Sequence, residues 1–112
     1  AEVDAYMADP WCGWEVPADV FPALLAPAHR LADPAELARI PSDLPVLIAS
    51  GDADPLAAGG ERLRVLGQRY RDAGLRDVTV KLYPGARHEI VNETNRDEVT
   101  ADVVEWMRAR LR

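Results

Sequence analysis

The chain has 112 residues, which is enough for one domain with a modest hydrophobic core. Its apolar content of 48% and its mean hydropathy of −0.20 are typical of soluble globular proteins and exclude an intrinsically disordered chain. The net charge of −6 argues against nucleic acid or an anionic membrane surface as a partner, because both repel an acidic protein. No apolar run approaches the roughly 20 residues that cross a bilayer, so we do not expect an integral membrane protein.

The single cysteine, Cys12, excludes an intrachain disulfide and suits a reducing compartment, so we expect a cytoplasmic protein. We interpret its side chain as a small buried hydrophobe, not as a reactive thiol. The first ten residues are acidic and contain no basic residue, which is not the pattern of a signal peptide. The chain also does not begin with Met, and its first residues lie in the middle of a sequence pattern. We therefore interpret Ala1 as a cut inside a longer chain.

Residues 1–43 have the less regular pattern. A weakly helical segment over residues 17–30 is interrupted by two prolines. Asp33 and Pro34 are residues typical of the N-cap and the first turn of a helix. Pro41 stops this predicted helix, so it can only be short. Three aromatic side chains in this part require burial, although nothing nearby in the sequence supplies a partner for them. They are Tyr6, Trp11 and Trp14.

The rest of the chain alternates between strands and helices. Val46, Leu47 and Ile48 form a continuous apolar run, which predicts a strand covered by helices on both faces. A Gly-rich turn follows, and then a helix with one apolar face that ends at Gly74. The segment 77–83 alternates β-branched and polar residues and predicts a second strand.

A last helix is predicted from Asn95, which would form a capping pair with Glu98, to the end of the chain. The order strand–helix–strand–helix predicts two parallel strands of an α/β sheet. Because two strands make a poor sheet, we expect the remaining strands to lie outside this chain.

One carboxylate and one imidazole follow the two predicted strands. Asp54 comes after the first and His88 after the second, at the carboxyl ends where α/β sheets bind ligands. A carboxylate bonded to one imidazole nitrogen stabilises the imidazolium that forms when the other nitrogen takes a proton. The simpler interpretation of an aspartate in such a turn is local backbone bonding, which we assign to Asp52. No strand places a carboxylate near His29, which we regard as incidental.

Two motifs resemble the C-terminal part of serine α/β-hydrolases. They are PVLIASGDADP at 45–55 and LYPGARHE at 82–89, and they are most similar to the monoacylglycerol lipase and lysophospholipase branch, also described as serine aminopeptidase-like. The resemblance covers residues 31–111 well. It implies two parts, the end of a cap region with its return to the core at 1–30 and a C-terminal α/β-hydrolase core segment of parallel strands with flanking helices at 31–112.

The resemblance implies that Asp54 is the acid and His88 the base of a Ser-His-Asp triad. The expected activity is hydrolysis of carboxylic esters such as monoacylglycerols or lysophospholipids, with neither metal nor organic cofactor. The nucleophile is not found: Ser42 and Ser50 are the only serines, and neither has the Gly-x-Ser-x-Gly pattern. We therefore expect this chain to be inactive alone, and its partner to be the missing N-terminal part of the same protein.

Two alternatives stay open. The first is a haloacid-dehalogenase-type phosphatase, in which Asp52 and Asp54 would bind Mg²⁺, although Pro55 follows where that motif needs a Gly-Thr pair. The second is a non-catalytic piece that docks on a partner chain through its unmatched apolar residues. The sequence does not specify the acyl chain, the head group, peptide cleavage or the oligomeric state.

Overall fold

The computed structural model describes residues 2–13 and 15–111, and the chain divides into two compact units. The first unit is Ala1–Asp33 and the second is Pro34–Arg112. The sequence analysis put its boundary a few residues earlier, after residue 30. The second unit contains both predicted strands, so it is the unit that positions the candidate site.

The described residues of the first unit form three short helices. They are α1 (Glu2–Ala8), α2 (Val20–Leu25) and a 3₁₀ helix (Ala26–Ala32). The helical segment predicted over residues 17–30 is found as two elements. Pro27, in the first turn of the 3₁₀ helix, has no N–H to continue α2, whereas Pro22 lies inside α2 and does not interrupt it. Sequence analysis missed α1, which is only seven residues long.

The side chains of the first unit are largely exposed. No residue of α2 or of the 3₁₀ helix is buried. Trp11 is 85% exposed and Tyr6 is 55% exposed, so the expected burial of these rings is not found, while Trp14 lies outside the described residues. Cys12 is a half-buried free thiol. The described side chains of this unit thus include exposed apolar ones, and none of those described is buried.

The second unit has the predicted alternation of helices and strands. Its elements are α3 (Pro34–Leu37), β1 (Val46–Gly51), α4 (Glu61–Asp72), β2 (Val78–Tyr83) and α5 (Arg96–Arg108). The two strands are parallel, and their register runs from the Val46–Val78 pair to the Gly51–Tyr83 pair. Both strands therefore end at the same edge, and the loops that follow them start side by side. The predicted parallel pair is confirmed.

The helices α4 and α5 pack against opposite faces of β2. On one face Gly67 of α4 lies so close to Val80 that a Cβ at this glycine would be 2.6 Å from the valine Cγ2 atom. On the other face the indole of Trp106 in α5 donates a hydrogen bond to Thr79 Oγ1 at 3.1 Å. The core beneath the site is a cluster of Tyr83, Ala86 and Val99, packed against Ala49 and Ile90.

Two ion pairs join the C-terminal helix to the second strand. One connects α5 with β2, and the other connects a residue just after α5 with the residue just before β2. Arg110 donates two hydrogen bonds to the Asp77 carboxylate, at 2.6 and 2.8 Å, and this contact lowers the pKa of Asp77. Lys81 forms an ion pair with Asp102, which lowers the pKa of Asp102 and raises that of Lys81. These contacts fix α5 against one face of β2.

The helix ends agree with the sequence at α4 and differ from it at α5. Gly74 has φ +101° and its N–H bonds to the carbonyl of Arg71, while the Leu75 N–H bonds to the carbonyl of Tyr70, which is a Schellman motif. At α5 the expected capping by Asn95 is wrong, because its side-chain amide donates to the carboxylate of Glu98 instead of accepting a backbone N–H.

The last helix also stops earlier than expected. The sequence predicted a helix to the end of the chain, whereas α5 ends at Arg108. Leu111, predicted on the apolar face of this helix, is 82% exposed. None of the helices within residues 2–13 and 15–111 has the length and apolar character that a membrane span requires.

Candidate active site

Asp54 lies in the turn that follows β1 and is only 5% exposed. Its Oδ1 atom accepts a hydrogen bond from the backbone N–H of Leu56 at 2.9 Å, and its carbonyl accepts one from the N–H of Ala57 at 3.0 Å. These two bonds close the turn around the aspartate. The carboxylate is thus held in place by its own backbone and is largely shielded from water.

His88 lies in the loop that follows β2. Gly85 begins this loop with φ +74°, a backbone conformation that glycine adopts without strain. Two residues before the histidine, Ala86 is 3% exposed, and two residues after it, Ile90 packs against the same core cluster. The loop is therefore anchored on both sides of His88, whose own side chain is 60% exposed.

Backbone hydrogen bonds join the aspartate turn to the histidine loop. The N–H of Gly51 donates to the carbonyl of Arg87 at 2.9 Å, and the N–H of Ala53 donates to the carbonyl of Ala86 at 3.0 Å. The N–H of Asp52 donates to the carbonyl of Tyr83 at 3.1 Å. The two segments thus continue the pairing of β1 and β2 past the end of the sheet and reach the residues next to His88.

Gly51 allows this close approach. A Cβ atom at this position would be 1.7 Å from the carbonyl oxygen of Ala86, well inside any possible contact distance. The clash would be with backbone and not with a flexible side chain. Glycine is therefore required here by the proximity of the histidine loop.

The structure brings the two predicted site residues together. The Nδ1 atom of His88 is 3.5 Å from the Oδ1 atom of Asp54. This separation is longer than an ordinary N–H···O hydrogen bond. With Nδ1 directed at the carboxylate, Nε2 remains as the ring nitrogen that can exchange a proton with another group. The geometry suits a base and the acid that orients it.

The local backbone bonding that the sequence suggested for Asp52 is found at Asp54 instead, since the Asp52 carboxylate bonds a residue 33 positions further along the chain. The Oδ1 atom of Asp52 accepts a hydrogen bond from the N–H of Gly85 at 2.7 Å, which adds a side-chain contact between the two loops. A shared cation site with Asp54, as in a phosphatase, would need both carboxylates to converge. Here one is bonded to Gly85 and the other is directed at His88. Among the described residues, no group of three or more His, Cys, Asp or Glu side chains could hold a metal ion.

The two serines lie in β1 and in the segment before it, and the second histidine belongs to the first unit. Ser50 lies inside β1 and is 7% exposed, and Ser42 is exposed in the segment before β1. Neither stands at a turn from a strand directly into a helix. His29 is exposed in the 3₁₀ helix of the first unit.

Glu93 is a contact of the histidine loop that sequence reasoning did not single out. Its Oε1 atom accepts a hydrogen bond from the N–H of Arg87, the residue before His88, at 2.8 Å. The only available signal was a carboxylate five residues after the histidine in a loop, and periodicity does not reveal such a contact. The structure was needed to find it.

The parallel strands with flanking helices, and an aspartate and a histidine after their carboxyl ends, are typical of α/β-hydrolases. A sequence comparison agrees with this class. The sequence model of the family described as "Serine aminopeptidase, S33" matches residues 1–95, which include both Asp54 and His88. The chain belongs to this family. The family assignment made from the two motifs is therefore confirmed.

Individual relatives are similar to nearly the whole of this chain. The chain is 33% identical over 111 residues to a monoacylglycerol lipase of Mycolicibacterium smegmatis, covering 97% of this chain and 36% of the lipase. A thermostable carboxyl esterase from Bacillus coagulans, solved in complex with glycerol, superposes with a TM-score of 0.82 at 25% identity, covering 96% of this chain and 36% of the esterase.

A further solved structure is the monoacylglycerol lipase of Paleococcus ferrophilus, with a TM-score of 0.70 and 26% identity over 94% of this chain and 38% of the lipase. The chain thus spans little more than a third of the length of the relatives it matches. Its parallel strands with flanking helices fit the C-terminal part of their α/β-hydrolase fold, and this predicted fold class is confirmed.

Proposed function

We propose that the complete protein containing this chain is a carboxylic ester hydrolase, and that this chain supplies the acid and the base of its Ser-His-Asp triad. One observation carries the proposal. Asp54 Oδ1 and His88 Nδ1 lie 3.5 Å apart at the carboxyl ends of two parallel strands, in a member of the serine aminopeptidase family. Asp54 is the orienting acid and His88 is the general base.

In this mechanism a serine oxygen attacks the acyl carbon of the ester, and the serine proton passes to Nε2 of His88. Asp54 stabilises the imidazolium through Nδ1–H. When the C–O bond of the ester breaks, the imidazolium gives that proton to the leaving alcohol. Water then attacks the acyl-enzyme with His88 as base again, which releases the carboxylic acid and restores the serine. No metal ion or organic cofactor takes part.

The serine of this mechanism lies outside the chain. Ser50 is buried within β1, and Ser42 is exposed before the strand, so neither can face His88 from a strand-to-helix turn. We therefore propose that the N-terminal part of the same protein supplies the nucleophile. It would also supply the donors that stabilise the oxyanion of the tetrahedral intermediate.

We propose monoacylglycerols or lysophospholipids as the substrate class. Two of the relatives are named monoacylglycerol lipases, which supports an acyl ester of glycerol. We assign residues 1–30 to the end of a cap region and its return to the core, a segment that presents exposed apolar side chains. They include Phe21, Leu24 and Leu25. Because a single cysteine suits a reducing compartment, we propose that the protein is cytoplasmic.

The test is Asp54→Asn in the complete protein. Removing the carboxylate charge leaves the imidazolium unstabilised and the tautomer wrong, so kcat for a monoacylglycerol should fall by on the order of 10⁴. Circular dichroism should show an unchanged fold, and a fluorophosphonate probe should label the wild-type serine much faster than that of the variant. Activity within about tenfold of wild type would remove Asp54 from the triad.

A second function is favoured by a different observation. Many large apolar side chains of the first unit are exposed, among them Trp11 at 85% and Met7 at 76%. Such surfaces mark interfaces, so this chain could serve as a non-catalytic piece docked on a partner chain. An intact-mass spectrum of the natively purified sample separates the two, since only the hydrolase yields a second polypeptide or a longer chain that carries the fluorophosphonate mass.

A further inference from the structure

The position of His88 is determined mainly by its backbone. Its side chain is 60% exposed, and its contact with Asp54 is a single separation of 3.5 Å. Such a side chain has freedom to turn away into solvent. What holds it near the carboxylate is therefore the main chain on either side of it, above all the residue that precedes it.

Both backbone groups of Arg87 are engaged. Its carbonyl accepts the N–H of Gly51, which lies three residues before Asp54, at 2.9 Å. Its N–H donates to Oε1 of Glu93 at 2.8 Å. The first bond ties the carbonyl of Arg87 to the segment that leads into the aspartate turn. The second ties the N–H of Arg87 to the Glu93 carboxylate, and a charged acceptor makes the stronger kind of hydrogen bond.

The segment between His88 and Glu93 is closed by local bonds that place the carboxylate. The N–H of Asn92 donates to the carbonyl of Glu89 at 2.8 Å, and the Asn92 side-chain amide donates to the Glu89 carboxylate at 3.1 Å. The chain thus turns back after His88, and half-buried Glu93 reaches the peptide just before the histidine. His88 is carried on a loop closed at its base by the Glu93 carboxylate.

We propose that Glu93 is the positioning residue of the acid–base pair. Its carboxylate fixes the Arg87 peptide and thereby keeps the His88 imidazole directed at Asp54. The effect of this role on catalysis rests on the proposed function. Its effect on the geometry of His88 does not, and that geometry can be measured directly.

The experiment compares three variants of the complete protein with wild type. Glu93→Met has similar length without a good acceptor, Glu93→Ala removes the side chain, and Glu93→Gln keeps an oxygen acceptor. Glu98→Ala is the matched control, because Glu98 lines the same cavity of about 440 Å³ as Glu93 but bonds to Asn95 and not to the histidine loop. Long-range ¹H–¹⁵N NMR correlations report the tautomer of His88, assigned by their loss in His88→Gln.

The expected result is a selective loss. In wild type, Glu93→Gln and Glu98→Ala, the nitrogen shifts should report the Nδ1–H tautomer. In Glu93→Met and Glu93→Ala they should move towards those of a free imidazole. For a short-chain ester, kcat of these two variants should fall about 10- to 100-fold with KM little changed, because a small displacement of the base suffices for such a loss. The Gln variant should stay within about threefold of wild type, since it keeps the acceptor.

Several outcomes would overturn the proposal. These are unchanged His88 shifts in Glu93→Met and Glu93→Ala, an equal loss in Glu98→Ala, an equal loss in Glu93→Gln, or failure of both Met and Ala variants to fold. If wild type hydrolyses no ester while the His88 shifts still respond to Glu93→Met alone, the proposed function fails and the positioning role stands. If wild type is active and the shifts ignore Glu93, the reverse holds.

Discussion

Gly51 has no side chain at the point where the carbonyl of Ala86 approaches β1, and this makes it the residue on which the geometry of the pair depends. In Gly51→Ala the new Cβ would start 1.7 Å from that oxygen. The histidine loop must then move away and lose the Gly51–Arg87 and Ala53–Ala86 hydrogen bonds. We expect the free energy of unfolding to fall by about 3 kcal/mol or more, and kcat to fall with it. Urea denaturation and ester kinetics measure both.

The matched control for this substitution is Gly67→Ala. Its Cβ would also meet a neighbour, but that neighbour is a side-chain atom, Val80 Cγ2 at 2.6 Å, and not backbone. Alanine moreover favours the helix over glycine by about 1 kcal/mol, which offsets part of the clash. A Gly51→Ala variant as stable and active as Gly67→Ala would contradict the account of Gly51.

Residues are also where sequence reasoning succeeded and failed most clearly. Asp54 and His88 could be singled out because each follows a predicted strand and the parallel arrangement brings the two strand ends together. Glu93 could not, since its contact with the Arg87 N–H depends on the path of one loop. Loop paths leave no periodic pattern in a sequence.

At the scale of elements, α5 is attached to β2 by carboxylates with lowered pKa values. Arg110 lowers the pKa of Asp77 from its ordinary 3.8, and Lys81 does the same for Asp102. Because the folded values lie below the unfolded one, the stabilisation is present above pH 3.8 and is lost as the pH falls through the folded values. We expect Tm to fall over this acidic range.

The double variant Asp77→Asn/Asp102→Asn tests the source of this acid sensitivity. It should have a lower Tm than wild type near pH 7, because the ion pairs are gone, and its Tm should depend less on pH below 3.8. Asp19→Asn/Asp43→Asn, at two exposed positions, controls for the same change in net charge. An acid slope equal to that of wild type would show that these carboxylates are not its origin.

Elements with clear local sequence patterns were predicted correctly, and those with weak patterns were not. The strands and α4 have regular apolar spacing and clear ends, and the Schellman motif at Gly74 follows the sequence closely. The end of α5 and the cap at Asn95 were predicted wrongly, because an asparagine side chain can bond a nearby carboxylate as well as a backbone N–H. The α1 helix has too few residues for a period to be seen.

At the scale of the whole molecule, the chain carries the proposed base and its proposed orienting acid, whereas neither of its two serines stands at a turn from a strand directly into a helix. We expect the 112-residue chain alone to form no adduct with a fluorophosphonate and to hydrolyse p-nitrophenyl acetate no faster than buffer does. The complete protein should do both. A probe mass on the 12.3 kDa chain would mean that Ser42 or Ser50 is a nucleophile after all.

The fold class could be predicted from 112 residues because the strand–helix–strand–helix order allows few arrangements, and the two motifs narrowed it to one family. The first unit resisted prediction for the opposite reason. Its apolar side chains have no counterpart within the described part of that unit, so no pattern of inside and outside fixes its elements.

Three of the hydrogen bonds between the two loops join backbone atoms on both sides, and a fourth joins the Asp52 carboxylate to the Gly85 N–H. Ala53 and Arg87 are both exposed, although their peptide groups hold the aspartate turn to the histidine loop. Substitutions at these two positions can therefore accumulate beside Asp54 and His88 without displacing them. In an evolving lineage, or in a mutant library, the surroundings of the pair can change at these positions while its geometry is kept.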